Sequence, residues 1–273
     1  PWLVHHAGDL RAGLGRGITR VGDWTPVRRL RERYPKAWTF VGRRFAAGEY
    51  LGLHLTVGLL LSLGALWLFG GVAEDVIHHD PLTQFDLTVA NLLHQHASPA
   101  LTEVAKGVTL LGSPAVIAAW ALIAVVVLVM RKELVPAGGL AAALLGGGLL
   151  DGVLKRVFHR PRPTWDVPII TARGFSFPSG HAMGSLVAYG MLAYLVWRAL
   201  DHPRARVALA AGTVVLVLLI GLSRMYLGVH YFSDVVAGYA AGTVWLTACI
   251  TGLEVVRRRP SSGAPPSAGG SSS

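Results

Sequence analysis

Six stretches of this chain are apolar over the length that a bilayer's hydrocarbon core demands, and that feature constrains its fold more than any other. They fall at about 51–72, 102–130, 134–155, 181–199, 207–224 and 233–256; a helix needs about 20 residues to cross the core. Inside hydrocarbon a segment must satisfy its own backbone hydrogen bonds, which for runs of this length means α-helix. The expectation is therefore an all-α, polytopic membrane protein: a six-transmembrane-helix bundle. The second stretch can begin later than 102, because Glu103 and Lys106 sit in its first turn. Only 15% of the residues are charged, against about a quarter in an ordinary soluble domain. The stretch from Pro81 to Pro99 is too polar to span, and Phe85, Val89, Leu92 and Leu93 mark it as a short interfacial helix. The glycine-rich run Gly138–Gly152 lies inside the third apolar stretch and reads as close helix packing rather than a phosphate loop.

Three regions follow. Residues 1–49 form a basic segment, with Arg28, Arg29, Arg31, Arg33, Arg43 and Arg44 among its cations, expected on the cytoplasmic leaflet. Residues 50–256 hold the six-helix domain. Residues 257–273 form a Pro/Ser/Gly-rich cytoplasmic tail, expected to be disordered. The first apolar run begins near Tyr50, too far in for a signal peptide. A single cysteine, Cys249, excludes an intrachain disulfide.

Basic residues set the orientation. The N-terminal segment, Arg131 and Lys132, Arg198, Arg204 and Arg206, and Arg257 to Arg259 all assign to the cytoplasm. The loop after the first span carries Glu74, Asp75, Asp80 and Asp86, with no Lys or Arg before Lys106, which suits the outside. Both termini are then cytoplasmic, in a multi-pass protein of the cell membrane. Against this pattern, Lys155, Arg156, Arg160, Arg162, Arg173 and Arg224 fall on the outer side. Cations there need a reason, and a bound anion supplies one. The net charge of +10 thus divides between a topology signal and an anion site, so nucleic acid is not needed to explain it.

Three segments converge on that face: Lys155 to Pro163, Phe177 to His181, and Ser223 to Asp234. Lys155, Arg162 and Arg224 offer a point charge and two planar forks suited to phosphate oxygens. Ser179 opens a helix whose first N–H groups bind anions; it can cap that helix and donate its hydroxyl to the ligand. His230 and Asp234, four apart, would share a helix face, so that the carboxylate orients the imidazole as a nucleophile. His181 on the opposite wall is free to act as general acid. Asp151, one turn before Lys155, reads as its charge partner.

Lys-x6-Arg-Pro, Pro-Ser-Gly-His and Ser-Arg-x5-His-x3-Asp, in this order, resemble the three signature motifs of the PAP2 (type 2 phosphatidic acid phosphatase) superfamily. Weaker similarity runs from Phe85-Asp86 through the Leu-Leu-Gly-Ser stretch ending at Ser113 to Gly242. The resemblance implies His230 as nucleophile, Asp234 as its orienting partner and His181 as general acid. It implies phosphate contacts from Lys155, Arg162, Ser179, Gly180 and Arg224, with no metal and no cofactor. The reaction it implies is hydrolysis of a lipid phosphate through phosphohistidine at the extracytoplasmic face, with a membrane lipid as substrate and no nucleic acid or obligate protein partner.

Among substrates, an isoprenoid diphosphate such as undecaprenyl diphosphate is favoured if Arg156, Arg160 and Arg173 hold a second phosphate. Phosphatidic acid and phosphatidylglycerol phosphate are the alternatives, and transfer to another acceptor would use the same site. A lipid or anion transporter would place its polar residues nearer the midplane, and the vanadate-dependent haloperoxidases that share the pocket are soluble. His78, His79 and Asp80, with His94 and His96, have no standard metal-site spacing. Tyr226, Tyr231 and Phe232 read as an interfacial aromatic belt.

Overall fold

A computed structural model describes residues 50–78 and 81–258. The basic segment 1–49 and the tail beyond 258 lie outside the described residues. The described residues from Val57 onward belong to one compact unit. Eight helices run in order: α1 (Tyr50–His78), α2 (Pro81–Gln95), α3 (Pro99–Leu111), α4 (Pro114–Met130), α5 (Leu134–Phe158), α6 (Gly180–Ala199), α7 (Pro203–Tyr226) and α8 (Phe232–Arg257). Among the described residues there is no strand.

Four segments are long and apolar enough to cross a membrane: Leu55–His78, α5, α7 and α8. The stretch 102–130, expected as one apolar run, is two helices bent by 41°. The reason is local. Gly112 ends α3, the Ser113 hydroxyl accepts the amide of Val116 at 3.3 Å, and Pro114 occupies the first turn of α4. Proline has no amide to continue a helix and is suited to start one. Counted as one span, the bent pair makes five. The expected short helix after the first span is α2.

α6 packs against α5, α7 and α8, and its moderate apolarity follows from that position. Met183, Val187, Ala188 and Met191 are fully or almost fully buried against protein, beside the buried polar Ser185. The outward faces differ. Leu60 is 63% exposed and Trp67 81% exposed on α1, surface that lipid tails cover without cost. The glycine run of α5 does mark close packing: a Cβ on Gly146 would lie 2.1 Å from the Trp245 ring of α8. Trp245 also donates to the Ala143 carbonyl at 2.8 Å. Near the other end of α5, Phe69, Phe158 and Phe177 form a ring cluster at centroid distances of 4.8–6.0 Å. This cluster seats the strand of chain that leads into α6.

Candidate active site

The three motif segments meet where α5 and α7 end and α6 and α8 begin. α5 stops at Phe158 because His159 turns left-handed (φ 46°) ahead of Pro161 and Pro163. The following loop returns through Ser176, whose amide donates to the Arg160 carbonyl at 2.9 Å and whose hydroxyl donates to that of Pro161 at 3.0 Å. The Ser179 amide then donates to the backbone carbonyl of Asp234 at 2.9 Å, tying the start of α6 to the start of α8.

His230 lies in the turn before α8, not on the helix, so it and Asp234 do not share a helical face as expected. Asp234 is instead the third residue of α8, and its Oδ2 reaches back to accept the Tyr231 amide at 2.9 Å. The same oxygen faces His230 Nδ1 at 3.3 Å. On the far side of the ring, Arg162 Nη1 sits 3.0 Å from His230 Nε2. A guanidinium only donates, so Nε2 must present its lone pair and Nδ1 must carry the proton toward Asp234. The tautomer is thus assigned by its partners. Burial pushes the His230 imidazole down to about 4, with Arg162 and Arg224 adding to the shift and the bond to Asp234 opposing it.

The other expected residues gather around this ring. Lys155 Nζ is held at 2.5 Å by Asp151, as expected, and at 2.5 Å by the Pro178 carbonyl. Arg224, 7% exposed, donates to Thr109 at 2.9 Å, and its buried Nε has no hydrogen-bond partner among the described residues. His181, in the first turn of α6, is within electrostatic reach of Arg224, His230, Arg162 and Lys155. Its ring lies over the break between α3 and α4. A Cβ on Gly112 would come within 3.3 Å of the His181 ring and 2.4 Å of Ile220, which is why only glycine fits there.

Three expectations need correction. Ser179 stands at the N-cap of α6 but makes no capping bond, and its fully buried hydroxyl has no partner among the described residues. A buried hydroxyl left without a partner costs about 1–3 kcal/mol, so helix capping does not account for Ser179. Arg162 is not an open fork, because it also donates to the carbonyls of Gly174 (3.0 Å), Val229 (2.7 Å) and Arg173 (3.3 Å). Arg160 is not free to hold a second phosphate. It is 8% exposed, and its Nη1 donates to Asp234 at 2.6 Å and its Nη2 to Asp86 at 2.8 Å. Of the three cations expected to hold that phosphate, only Arg156 and Arg173 are exposed.

One member of this network, Asp86, has no assigned role in the sequence reading. Asp86, fully buried on α2, accepts the Ser233 amide at 2.9 Å as well as the Ser233 hydroxyl. The available signal was its place on the same face as Ala90, four residues on, where a carboxylate in the buried stripe requires a cation. Two of the expected belt aromatics, Tyr226 and Tyr231, also make specific contacts. Tyr226 Oη accepts the Ser98 amide at 2.9 Å, and the Tyr231 ring underlies Arg160 at 4.3 Å. His79 and Asp80 lie outside the described residues, among which no group of three or more His, Cys, Asp or Glu is placed to hold a metal ion.

Phosphatidylglycerophosphatase B of Bacillus subtilis is 32% identical to this chain over 184 residues, 65% of this chain and 88% of that protein. The PAP2 superfamily model matches residues 136–258. The chain belongs to the PAP2 superfamily. The crystal structure of a transmembrane PAP2-type phosphatidylglycerolphosphate phosphatase from Bacillus subtilis superposes with a TM-score of 0.66 at 26% identity, covering 72% of this chain and 98% of that one. A decaprenylphosphoryl-5-phosphoribose phosphatase of Mycobacterium tuberculosis is 41% identical over 95 residues, 33% of this chain and 46% of that protein. This PAP2 protein is thus a multi-pass membrane hydrolase of the phosphatase class, similar to enzymes named for lipid phosphates.

Proposed function

We propose that the protein removes phosphate from a membrane lipid without a metal, through a phosphohistidine on His230. The observation that carries this reading is the polarised imidazole: Nδ1–H toward Asp234 and the Nε2 lone pair toward Arg162. Nε2 attacks phosphorus as the ester P–O bond breaks, and His181 gives its proton to the departing lipid oxygen. Water then attacks the phosphohistidine, His181 takes the water's proton, and inorganic phosphate leaves with His230 restored. Lys155, Arg162, Arg224, the Ser179 hydroxyl and the Gly180 amide stabilise the equatorial oxygens, where most catalysis of phosphoryl transfer resides. Arg160 and Asp86 act through Asp234, holding its carboxylate beside the ring.

In this reading α6 is a sixth span beside the bent α3–α4 pair. The positive-inside pattern puts both termini in the cytoplasm, residues 1–49 on that leaflet, and the site on the outer face. The favoured substrate is a glycerolipid phosphomonoester such as phosphatidylglycerol phosphate, supported by the relative that this chain covers to 88%. Buried Arg160 removes one support for a diphosphate. Exposed Arg156 and Arg173, and the likeness to a phosphatase of a decaprenyl lipid, keep an isoprenoid diphosphate as the second reading. The test is rapid quench of purified protein with each lipid carrying a labelled terminal phosphate. The expected result is an acid-labile label on the His230 peptide in the presence of EDTA, with higher kcat/KM for the glycerolipid. Turnover that leaves no labelled protein at any quench time would overturn the covalent step, and loss of activity in EDTA would overturn metal independence.

A further inference from the structure

At the end of the bundle opposite His181, a groove of about 580 Å³ opens between α4 and α6, with Pro136 of α5 on its floor. Its walls are apolar, from Val127 and Leu128 on one side and Leu192 and Leu195 on the other. Its mouth is not, for Arg131, Arg198 and Arg257 stand there with Glu133. Behind it, Glu254 of α8 is shared by Arg258 at 3.1 Å, Arg257 at 3.5 Å and Arg198 at 3.8 Å, and also accepts the Tyr194 hydroxyl. Arg131 makes no ion pair among the described residues. Among the described residues, four guanidiniums therefore gather about two carboxylates, and one carboxylate serves three of them. The surplus positive charge sits beside an apolar slot. Arg198 lies seventeen residues along α6 from His181, about 25 Å at 1.5 Å per residue, close to the thickness of a hydrocarbon core.

We propose that this groove binds an anionic glycerophospholipid, with an acyl chain between α4 and α6 and the phosphodiester on Arg131, Arg198 and Arg257. Charge complementarity selects this occupant. The cation-rich segment 1–49 would be repelled, and residues 260–273 carry only Pro, Ser, Gly and Ala, with no large apolar side chain to fill the slot. A free anion would leave the apolar walls unused. Arginine suits the task because its planar fork pairs with phosphate oxygens at two points. The site is separate from the phosphatase centre and does not depend on what that centre hydrolyses.

The test measures lipid retained by the purified full chain in native mass spectrometry and the unfolding midpoint in detergent, with phosphatidylglycerol or phosphatidylcholine added at equal mole fraction. Phosphatidylglycerol is a phosphodiester without a terminal phosphate for the active site to remove. The expected result is selective retention of phosphatidylglycerol with a raised midpoint, and no rise with inorganic phosphate alone. In Arg131→Gln/Arg198→Gln the affinity falls by about tenfold or more, while Arg162→Gln, at the other end, retains the lipid as wild type does. Leu195→Trp, which fills the slot and leaves the charges, also loses retention. Equal retention of the two lipids, or wild-type retention in both the double variant and Leu195→Trp, overturns the proposal. Loss in Arg162→Gln alone would place the lipid in the phosphatase site and overturn it as well.

Discussion

α8 carries a buried carboxylate near each end, and guanidiniums gather at both, yet the two ends are built differently. Asp234 is fully buried and receives Arg160 at 2.6 Å, the Tyr231 amide at 2.9 Å and His230 Nδ1 at 3.3 Å. Glu254, 7% exposed, is approached by three guanidiniums at 3.1–3.8 Å whose own side chains are 29–42% exposed. At the first end each contact sets a direction as well as a distance, and the cation is shared with a second buried acid, Asp86. At the second, the cations form a pool of charge in contact with water. Counting charges does not separate a positioned site from an electrostatic surface. Burial and hydrogen-bond direction do, because a short charge-assisted bond away from water is strong and an exposed ion pair contributes little.

The largest expected effect lies at the first end. His230→Ala should lose turnover to background while its unfolding midpoint in detergent stays within a few degrees of wild type, as phosphate release and a thermal scan would check. Turnover within tenfold of wild type would remove the nucleophile assignment. Next comes Arg160→Gln, which strips the cation from between Asp86 and Asp234. Breaking a buried pair costs about 3–5 kcal/mol, and activity should fall as Asp234 loses the cation that holds it. Arg160→Lys should recover only part of both, since one ammonium replaces a fork that reaches two carboxylates. A wild-type midpoint and rate in Arg160→Gln would make the two ends of α8 alike.

A smaller effect is expected in the pH profile. In the proposed mechanism only a neutral His230 attacks, and its imidazole is depressed from 6.5 to about 4. The acid limb of kcat/KM should therefore lie near 4, with activity present above it and lost as pH falls through it. Arg162→Gln removes a positive charge that favours the neutral ring, so the limb should move up toward 6.5 even as the rate falls. A limb that stays put would detach Arg162 from the electrostatics of His230. The smallest effect belongs to the second end. Glu254→Gln should cost no more than about 1 kcal/mol and leave kcat within about twofold. A large loss of turnover there would erase the contrast.

How much of this was legible depended on whether the information is local in sequence. Apolar runs announce α1, α5, α7 and α8 because lipid-facing residues repeat along one segment. The break at Gly112-Ser113-Pro114 is equally local, but hydropathy does not register caps. The motif residues were found, but two of their geometries were not. Ser179 looked like a helix cap because its type and place suit one. His230 looked helical because four-residue spacing usually is, whereas Asp234 reaches back from the first turn of α8. The contacts of Arg160 with Asp86 and Asp234, each 74 residues away, leave no periodic trace. A cation in a nine-residue basic segment looks free until the fold supplies its partners.

The tie between the Ser179 amide and the Asp234 carbonyl, 2.9 Å long, has an evolutionary reading. It joins the two halves of the pocket through main-chain atoms that every residue type except proline provides. Mutation can therefore rewrite the side chains nearby without loosening the frame that sets His230 opposite His181. Two proteins that share about a quarter of their residues can then keep one backbone frame while the side chains around it drift.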